Sequence, residues 1–499
     1  MLLFSGAAIF DGSGAPAFPG HVLVESGRIE SVHRAPVPGE HTVIDCRGLA
    51  LAPGFIDIHS HSDLKLLECD HAKTEQGVTA EVVGNCGFSA FPSGGRAAAV
   101  REYGNAILNG GDAVWEYGSA KAYLGEASRR AKDCAVETLI GHGTLRTAVA
   151  GSKQGALTAA EMDRLLGLLR EAFEGGAIGI STGLMYAPGS SAPREELLAL
   201  CRMAASKGRI HTTHMRSYSD DLHHSIEEQL ALAREAGCRL QISHLQAVGR
   251  RNWDKQARVL ERLLEARAQG VDVEFDSYPY LAGSTVMTQL LPQWTLEGGT
   301  AALVRRLHEG PSRERILAEM REAMPQRWSD IVVAGIESRE NHPMTGRTIE
   351  DLALERTMAP AEFALDLLAA HQGRVSIVSF NQSDENLRAL LTHPLCTVIS
   401  DGFYVNGRPH PRLYGTFPSL LGEMSRERGW LPMADAVRRI TSKPAARFGL
   451  KQRGLIEAGY FADLVLFDPA AIASRATYES PRQSPAGVRA VYRQGRAVL

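Results

Sequence analysis

Through the middle of the chain short apolar runs alternate with helical stretches, and this rhythm restricts the fold more than any other feature. The runs are GFIDIH, AEVVG, ETLIG, AIGIST, IHTTHM, LQISHL, VDVEFD, VSIVSF and CTVIS. Between them lie segments such as AAEMDRLLGLLREAFEGG and HHSIEEQLALAREAGC, each closing in Gly or Gly-Cys, as a helix C-terminus prefers. Repeated β-α units demand a parallel sheet, open or closed. No GxGxxG follows any run, which counts against a dinucleotide-binding sheet. Polar and metal-type residues stand where the apolar runs end. That placement favours a (β/α)8 barrel of the TIM type, whose chemistry sits at the C-terminal ends of its strands.

The flanks read differently. Residues 1–53 are short strand-like runs broken by Gly, Pro and Asp, and HVLVESGRIESV alternates apolar and polar residues around a Ser26-Gly27 turn. Residues 446–499 mirror this in GLIEAGYFADLVLFDP and GVRAVYRQGRAVL. Neither flank alone buries enough surface to be stable, so the expected division is a small β-sandwich from 1–53 and 446–499 around a barrel spanning 54–445. From about 285 to 344 the strand rhythm is interrupted, which predicts an inserted subdomain over the barrel mouth, a common place for a specificity lid.

A length of 499 residues exceeds what one compact core usually holds, in keeping with this division. A net charge of −3 with interspersed signs gives no reason to expect nucleic acid or an anionic membrane as partner. No apolar run approaches the roughly 18 residues of a membrane span, and the first residues lack a cationic region before Asp11. Seven cysteines without a spacing pattern point to reduced thiols. The expectation is a cytoplasmic protein acting on a small molecule, with a homo-oligomer left open.

The candidate chemistry begins with His59 and His61 in APGFIDIHSHSDL. Two apart at the end of a strand, they share a face and can grip one ion. A lone HxH is weak evidence, since polar residues are common where a strand emerges into a loop. His214 in IHTTHMR, His244 in LQISHLQ and Asp401 in CTVISDG also close apolar strands. If the barrel forms, all five converge on one mouth. His142 in LIGHGTLR lies at a strand end too, as a candidate substrate or supporting residue. His223, His224, His342, His371 and His393 fall on helix or loop text.

The segments PGFIDIHSH, VVGNCGFS, GAIGISTGLMYAP, THMR, ISHLQ, DSYPYLAGST, SDG and HPRLYGTFP occur in an order that resembles the N-acyl-D-amino-acid deacylase (D-aminoacylase) family of the metal-dependent amidohydrolase superfamily. RGLIEAGYFADLVLFDP is similar to that superfamily's closing β segment, so the resemblance spans nearly the whole chain. It implies that Cys86, in GNCG, takes the place of a carboxylated lysine as a metal ligand. A thiolate suits zinc, which accepts mixed Cys/His sets. By resemblance Cys86, His214 and His244 hold one tight zinc, and His59, His61 and Asp401 form a second, weaker site. Asp401 is then the general base and acid for metal-assisted amide hydrolysis. The resemblance points to Arg412, with Tyr278 and Ser284, as the grip on the substrate α-carboxylate. An arginine fork can hold a carboxylate through two parallel contacts.

Gln246 departs from the family pattern, which has lysine two residues after the second zinc histidine. It shares strand parity with His244 and so faces the site with an amide in place of a cation. The implied reaction is hydrolysis of N-acyl-D-amino acids. Alternatives on the same site are a cyclic amide, as in hydantoinases and dihydroorotases, or a D-peptide or N-carbamoyl-D-amino acid. A non-catalytic barrel scaffold is disfavoured because every candidate ligand is a competent residue.

Overall fold

A computed structural model describes residues 1–68, 72–108, 115–336 and 342–499. Cys69 and part of the interrupted segment, 337–341, lie outside the described residues. Eight parallel strands form the central sheet: β1 (Phe55–Asp57), β2 (Val78–Val83), β3 (Ala135–Gly141), β4 (Gly179–Gly183), β5 (Ile210–His214), β6 (Arg239–Ile242), β7 (Val273–Ser277) and β8 (Cys396–Val398). Their order in the sheet follows their order in the chain. Helices cover the outer face while side chains fill the inside, so a strand such as β2 is buried at every position. This is why the runs read as nearly continuous apolar text.

The first and last strands meet at the mouth. Ser60 and Gly402 form a parallel bridge. The Asp401 N–H donates to the His59 carbonyl at 2.9 Å, and the His61 N–H donates to the Gly402 carbonyl at 3.0 Å. Beneath this seam Asp57 accepts from the Ser400 N–H at 3.1 Å and from the buried Lys73 ammonium. Ser60 Oγ donates to Glu81 at 2.6 Å. A fully paired buried polar network of this kind fixes one arrangement of the three strands that carry it.

The covering helices follow local rules. Helix Ala159–Glu174 starts from a capping box, with Thr158 and Glu161 each bonding the other's backbone N–H. It buries Leu165, Leu169, Ala172 and Phe173 on one face.

One apolar run belongs elsewhere. VSIVSF, which reads as a strand of the β-α series, is the strand Val375–Phe380, the middle of a three-stranded antiparallel sheet between Ala282–Val286 and Ile331–Ile336. Short apolar text looks the same in a barrel wall and in a small separate sheet. This unit stands between β7 and β8 and carries its own core, including Met287, Leu303, Ile316, Phe363 and Ile377.

The two termini join in a separate β domain. Ala50–Pro53 pairs antiparallel with Leu464–Phe467, placing Leu51 opposite Leu466. The eight-stranded sheet forks at Leu2–Ile9, which pairs Phe18–Glu25 on one side and both Thr42–Asp45 and Ala50–Pro53 on the other. Phe4, Ile9, Val22, Ile29, Leu464 and Tyr492 make its core. Among the described residues no helix is long and apolar enough to cross a membrane.

Candidate metal centre

Six side chains reach the barrel mouth from five strand ends. His59 and His61 follow β1, Cys86 follows β2, His214 ends β5, His244 follows β6 and Asp401 follows β8. Each is at most 6% exposed. They form two groups that share one thiol: His59, His61, Cys86 and Asp401, and Cys86, His214 and His244. Within each group the ligand atoms lie within 4.8 Å of one another. Cys86 Sγ stands 3.2 Å from His59 Nε2 and 3.4 Å from His244 Nε2. Asp401 Oδ1 is 3.3 Å from Nε2 of both His59 and His61.

The backbone is bent to achieve this. Cys86, His244 and Asp401 have φ of 53°, 34° and 47°. The left-handed region is unfavourable for residues with a Cβ, by about 1–3 kcal/mol each, and persists where surrounding contacts enforce it. Around Cys86 the chain is pressed between neighbours. A Cβ at Gly183 would run into the Cys86 carbonyl, and one at Gly84 would strike the Leu139 carbonyl.

A residue not singled out in the sequence organises the histidines. Asp276 Oδ1, at the end of β7, lies 3.3 Å from His59 Nδ1 and accepts the His244 backbone N–H at 2.6 Å. Gln241 Nε2 donates to its other oxygen at 3.1 Å. A carboxylate on Nδ1 leaves His59 Nε2 free as a ligand atom. The available signal was an aspartate closing the run VDVEFD, two residues before Tyr278. Tyr186 and Tyr218 were also missed. Their rings stand edge-on to His214, at 4.9 and 5.2 Å between centroids.

The charges are arranged for ligation. Burial holds His214 far below the ordinary histidine range, brings His244 down to about 4, and lowers His61, so these rings keep free lone pairs at neutral pH. Burial acts on His59 in the same direction, but Cys86, Asp401 and Asp276 outweigh it and raise this ring. Burial would raise Asp401, yet Arg412, then His59 and His244, hold its carboxyl well below the usual range. Both ring nitrogens of His214, and Nδ1 of His61 and His244, are buried without a hydrogen-bond partner. Buried polar atoms are rarely left so. Orphaned imidazole nitrogens around a shared thiol fit a zinc-type cation.

Above the ligands is a cavity of about 440 Å³, lined among others by Arg412, Tyr278, Ser284 and Gln246. Arg412 Nη1 is 2.9 Å from Asp401 Oδ2, its Cζ lies 4.6 Å from the Tyr278 ring centre, and its Nη2 donates to the Ser284 carbonyl at 3.2 Å. Tyr278 Oη donates to Gln246 Oε1 at 3.4 Å. The Ser284 hydroxyl is turned to the Ile377 carbonyl at 3.0 Å. His142 is not in this lining. Its Nε2 lies 2.7 Å from Glu196 Oε1, and Arg146 donates to the other Glu196 oxygen at 2.7 Å. The unit between β7 and β8 supplies apolar wall, with Leu290, Leu291, Met320, Met324 and Ile377.

A closed parallel barrel with clustered N, S and O donors at its mouth is the architecture of a metal-dependent hydrolase. The chain belongs to the amidohydrolase family, whose model matches residues 42–499. It is 34% identical over 501 residues to a D-aminoacylase of Alcaligenes xylosoxydans xylosoxydans, covering 100% of this chain and 94% of that protein. An N-acyl-D-aspartate deacylase of the same organism is 34% identical over 99% of this chain and 91% of its own length. Among solved structures, a D-aminoacylase with a binuclear metal centre superposes with a TM-score of 0.86 at 31% identity, covering 100% of this chain and 96% of that one. An N-acyl-D-glutamate deacylase from Bordetella bronchiseptica, complexed with zinc and a phosphonate mimic of the tetrahedral intermediate, gives 0.85 at 32% identity with the same coverage. A D-hydantoinase matches at 0.55 and 16% identity, which shows a shared fold.

Proposed function

We propose that this protein is a zinc-dependent hydrolase of N-acyl-D-amino acids, releasing a D-amino acid and a carboxylate. The observation that carries the reading is Cys86, a single buried thiol shared by two ligand groups at the mouth of a barrel that resembles deacylases along its full length. Cys86, His214 and His244 would hold the main ion, and His59, His61 and Asp401 frame a second, weaker position. When bound, zinc supplies Lewis acidity at the scissile carbonyl and brings a water's pKa to about 7.

This chain's own residues do the rest. Asp401, kept ionised by Arg412, accepts a proton from the attacking water and returns it to the leaving nitrogen. Arg412 presents a buried guanidinium for the substrate α-carboxylate, with Tyr278 under its face and Ser284 beside it. Gln246 offers an amide where a lysine would demand an anion. With the apolar wall around Leu291 and Met324, it directs the site to uncharged side chains or acyl groups. His142, held by Glu196, is assigned no contact with substrate.

The domain division that accompanies this reading is 1–53 with 446–499 for the β domain and 54–445 for the barrel. The inserted unit of about 285–344 is widened to take in Val375–Phe380, which pairs with both of its other strands. A cytoplasmic setting rests on six buried cysteines that are all unpaired among the described residues.

Zinc-loaded protein screened against N-acetyl-D- and N-acetyl-L-amino acids, hydantoins and dihydroorotate tests the reading. Turnover of the D series is expected. Turnover confined to L substrates, or to rings, would overturn it in favour of a cyclic amidase or an L-specific enzyme.

A further inference from the structure

A second set of metal-type side chains lies in the barrel wall, away from the mouth. Cys201 comes from the helix Arg194–Ser206, His211 from β5, and Cys238 stands directly before β6. Their ligand atoms lie within 4.8 Å of one another, and all three residues are buried. His211 and His214 are three apart on one strand, so they face opposite sides of the wall. Nothing in the proposed hydrolysis uses this cluster.

Hydrogen bonding orients the imidazole for ligation. Thr182 Oγ1 donates to Thr213 Oγ1 at 2.9 Å, so its contact with His211 Nε2 at 3.0 Å is one in which the ring N–H donates. That tautomer leaves the Nδ1 lone pair facing Cys201 Sγ, 3.5 Å away. A ring nitrogen tethered to a hydroxyl, with the other aimed at two thiols, is how proteins orient a metal-binding histidine. A hydrogen bond between the two thiols holds Cys238 below the ordinary range, against burial, and pushes Cys201 up. Two soft sulfurs and one imidazole select a thiophilic ion. Two of the three converging ligand atoms are sulfur, a soft majority that suits Cu(I), whereas the Cys86 group at the mouth offers one thiol and two imidazoles.

We propose that Cys201, His211 and Cys238 form a separate soft-cation site in the barrel wall, suited to Cu(I). Binding forms two metal–sulfur bonds and one metal–nitrogen bond, and any thiol still protonated when the ion enters releases its proton to solvent.

The test is an anaerobic Cu(I) titration of the Cys86→Ser protein, which removes the thiol of the mouth. One copper per chain is expected, with a thiolate-to-copper absorption band that is lost in Cys86→Ser/Cys201→Ser and in Cys86→Ser/Cys238→Ser. A parallel Co(II) titration, read by its sulfur charge-transfer band, shows whether a divalent ion enters the same three ligands. A measurement that needs no variant is copper-edge X-ray absorption on zinc-loaded unmutated protein, where two sulfurs and one nitrogen are expected. No saturable thiolate band with either ion would overturn the proposal. So would a band indifferent to Cys201 and Cys238, or copper bound by a single sulfur.

Discussion

Arg412 Nη1 stands 2.9 Å from Asp401 Oδ2, and both residues are buried at the barrel mouth. The guanidinium keeps the carboxyl ionised and is itself turned toward the cavity where a substrate carboxylate would lie. Under the proposed mechanism one ion pair links the proton-transfer residue to the anchor of the substrate.

Asp401→Ala should lower kcat by about 100- to 10,000-fold, the range for losing a positioned acid–base group. Arg412→Lys retains a charge but loses the planar fork, so KM for N-acyl-D-amino acids should rise more than kcat falls. Steady-state kinetics of the two variants on one substrate would show the split.

Asp276→Asn should weaken zinc binding by about 10- to 100-fold, because the carboxylate that orients His59 and fixes the His244 backbone becomes a poorer acceptor. Zinc affinity by competition with a chromophoric chelator measures this. Unchanged affinity would remove Asp276 from its positioning role.

Chelator-treated protein should lose stability as the pH falls from about 6.5 toward 4. In the fold His244 titrates near 4 and His214 also lies far below its ordinary value of 6.5. Over that window the unfolded chain binds protons that the folded chain refuses, so acid favours unfolding. Above pH 6.5 this contribution is fully present. Thermal melts of metal-free protein across the window should show a falling Tm, and a flat profile would contradict the assignment.

Gln246→Lys should move preference toward anionic substrates. A cation in the cavity lining should raise the kcat/KM ratio of N-acetyl-D-glutamate over N-acetyl-D-leucine by about tenfold, equal to ~1.4 kcal/mol. An unchanged ratio would mean that position 246 does not contact the part of the substrate that varies.

Much of the mouth is legible in the sequence alone. His59, His61, His214, His244 and Asp401 each close an apolar run, and strand ends of one parallel barrel point to one face. VSIVSF misled because an apolar strand carries no mark of which sheet it joins. His142 is equally plausible as text, but its ring pairs with Glu196 and does not line the cavity. Asp276 escaped notice because its partners come from β1 and from the turn after β6, far away along the chain.

Periodicity and strand-end chemistry, which are local, determined the barrel and the residue types that ring its mouth. The sharing of Cys86 between two ligand groups, the Asp401–Arg412 pair and the cluster of Cys201, His211 and Cys238 were decided only in three dimensions. The grouping of Asp401 with His59, His61 and Cys86 exists only once the His59–Asp401 backbone bond closes β8 onto β1, whereas the other two depend on how neighbouring elements pack. Side-chain direction follows from local backbone geometry, whereas convergence follows from closure.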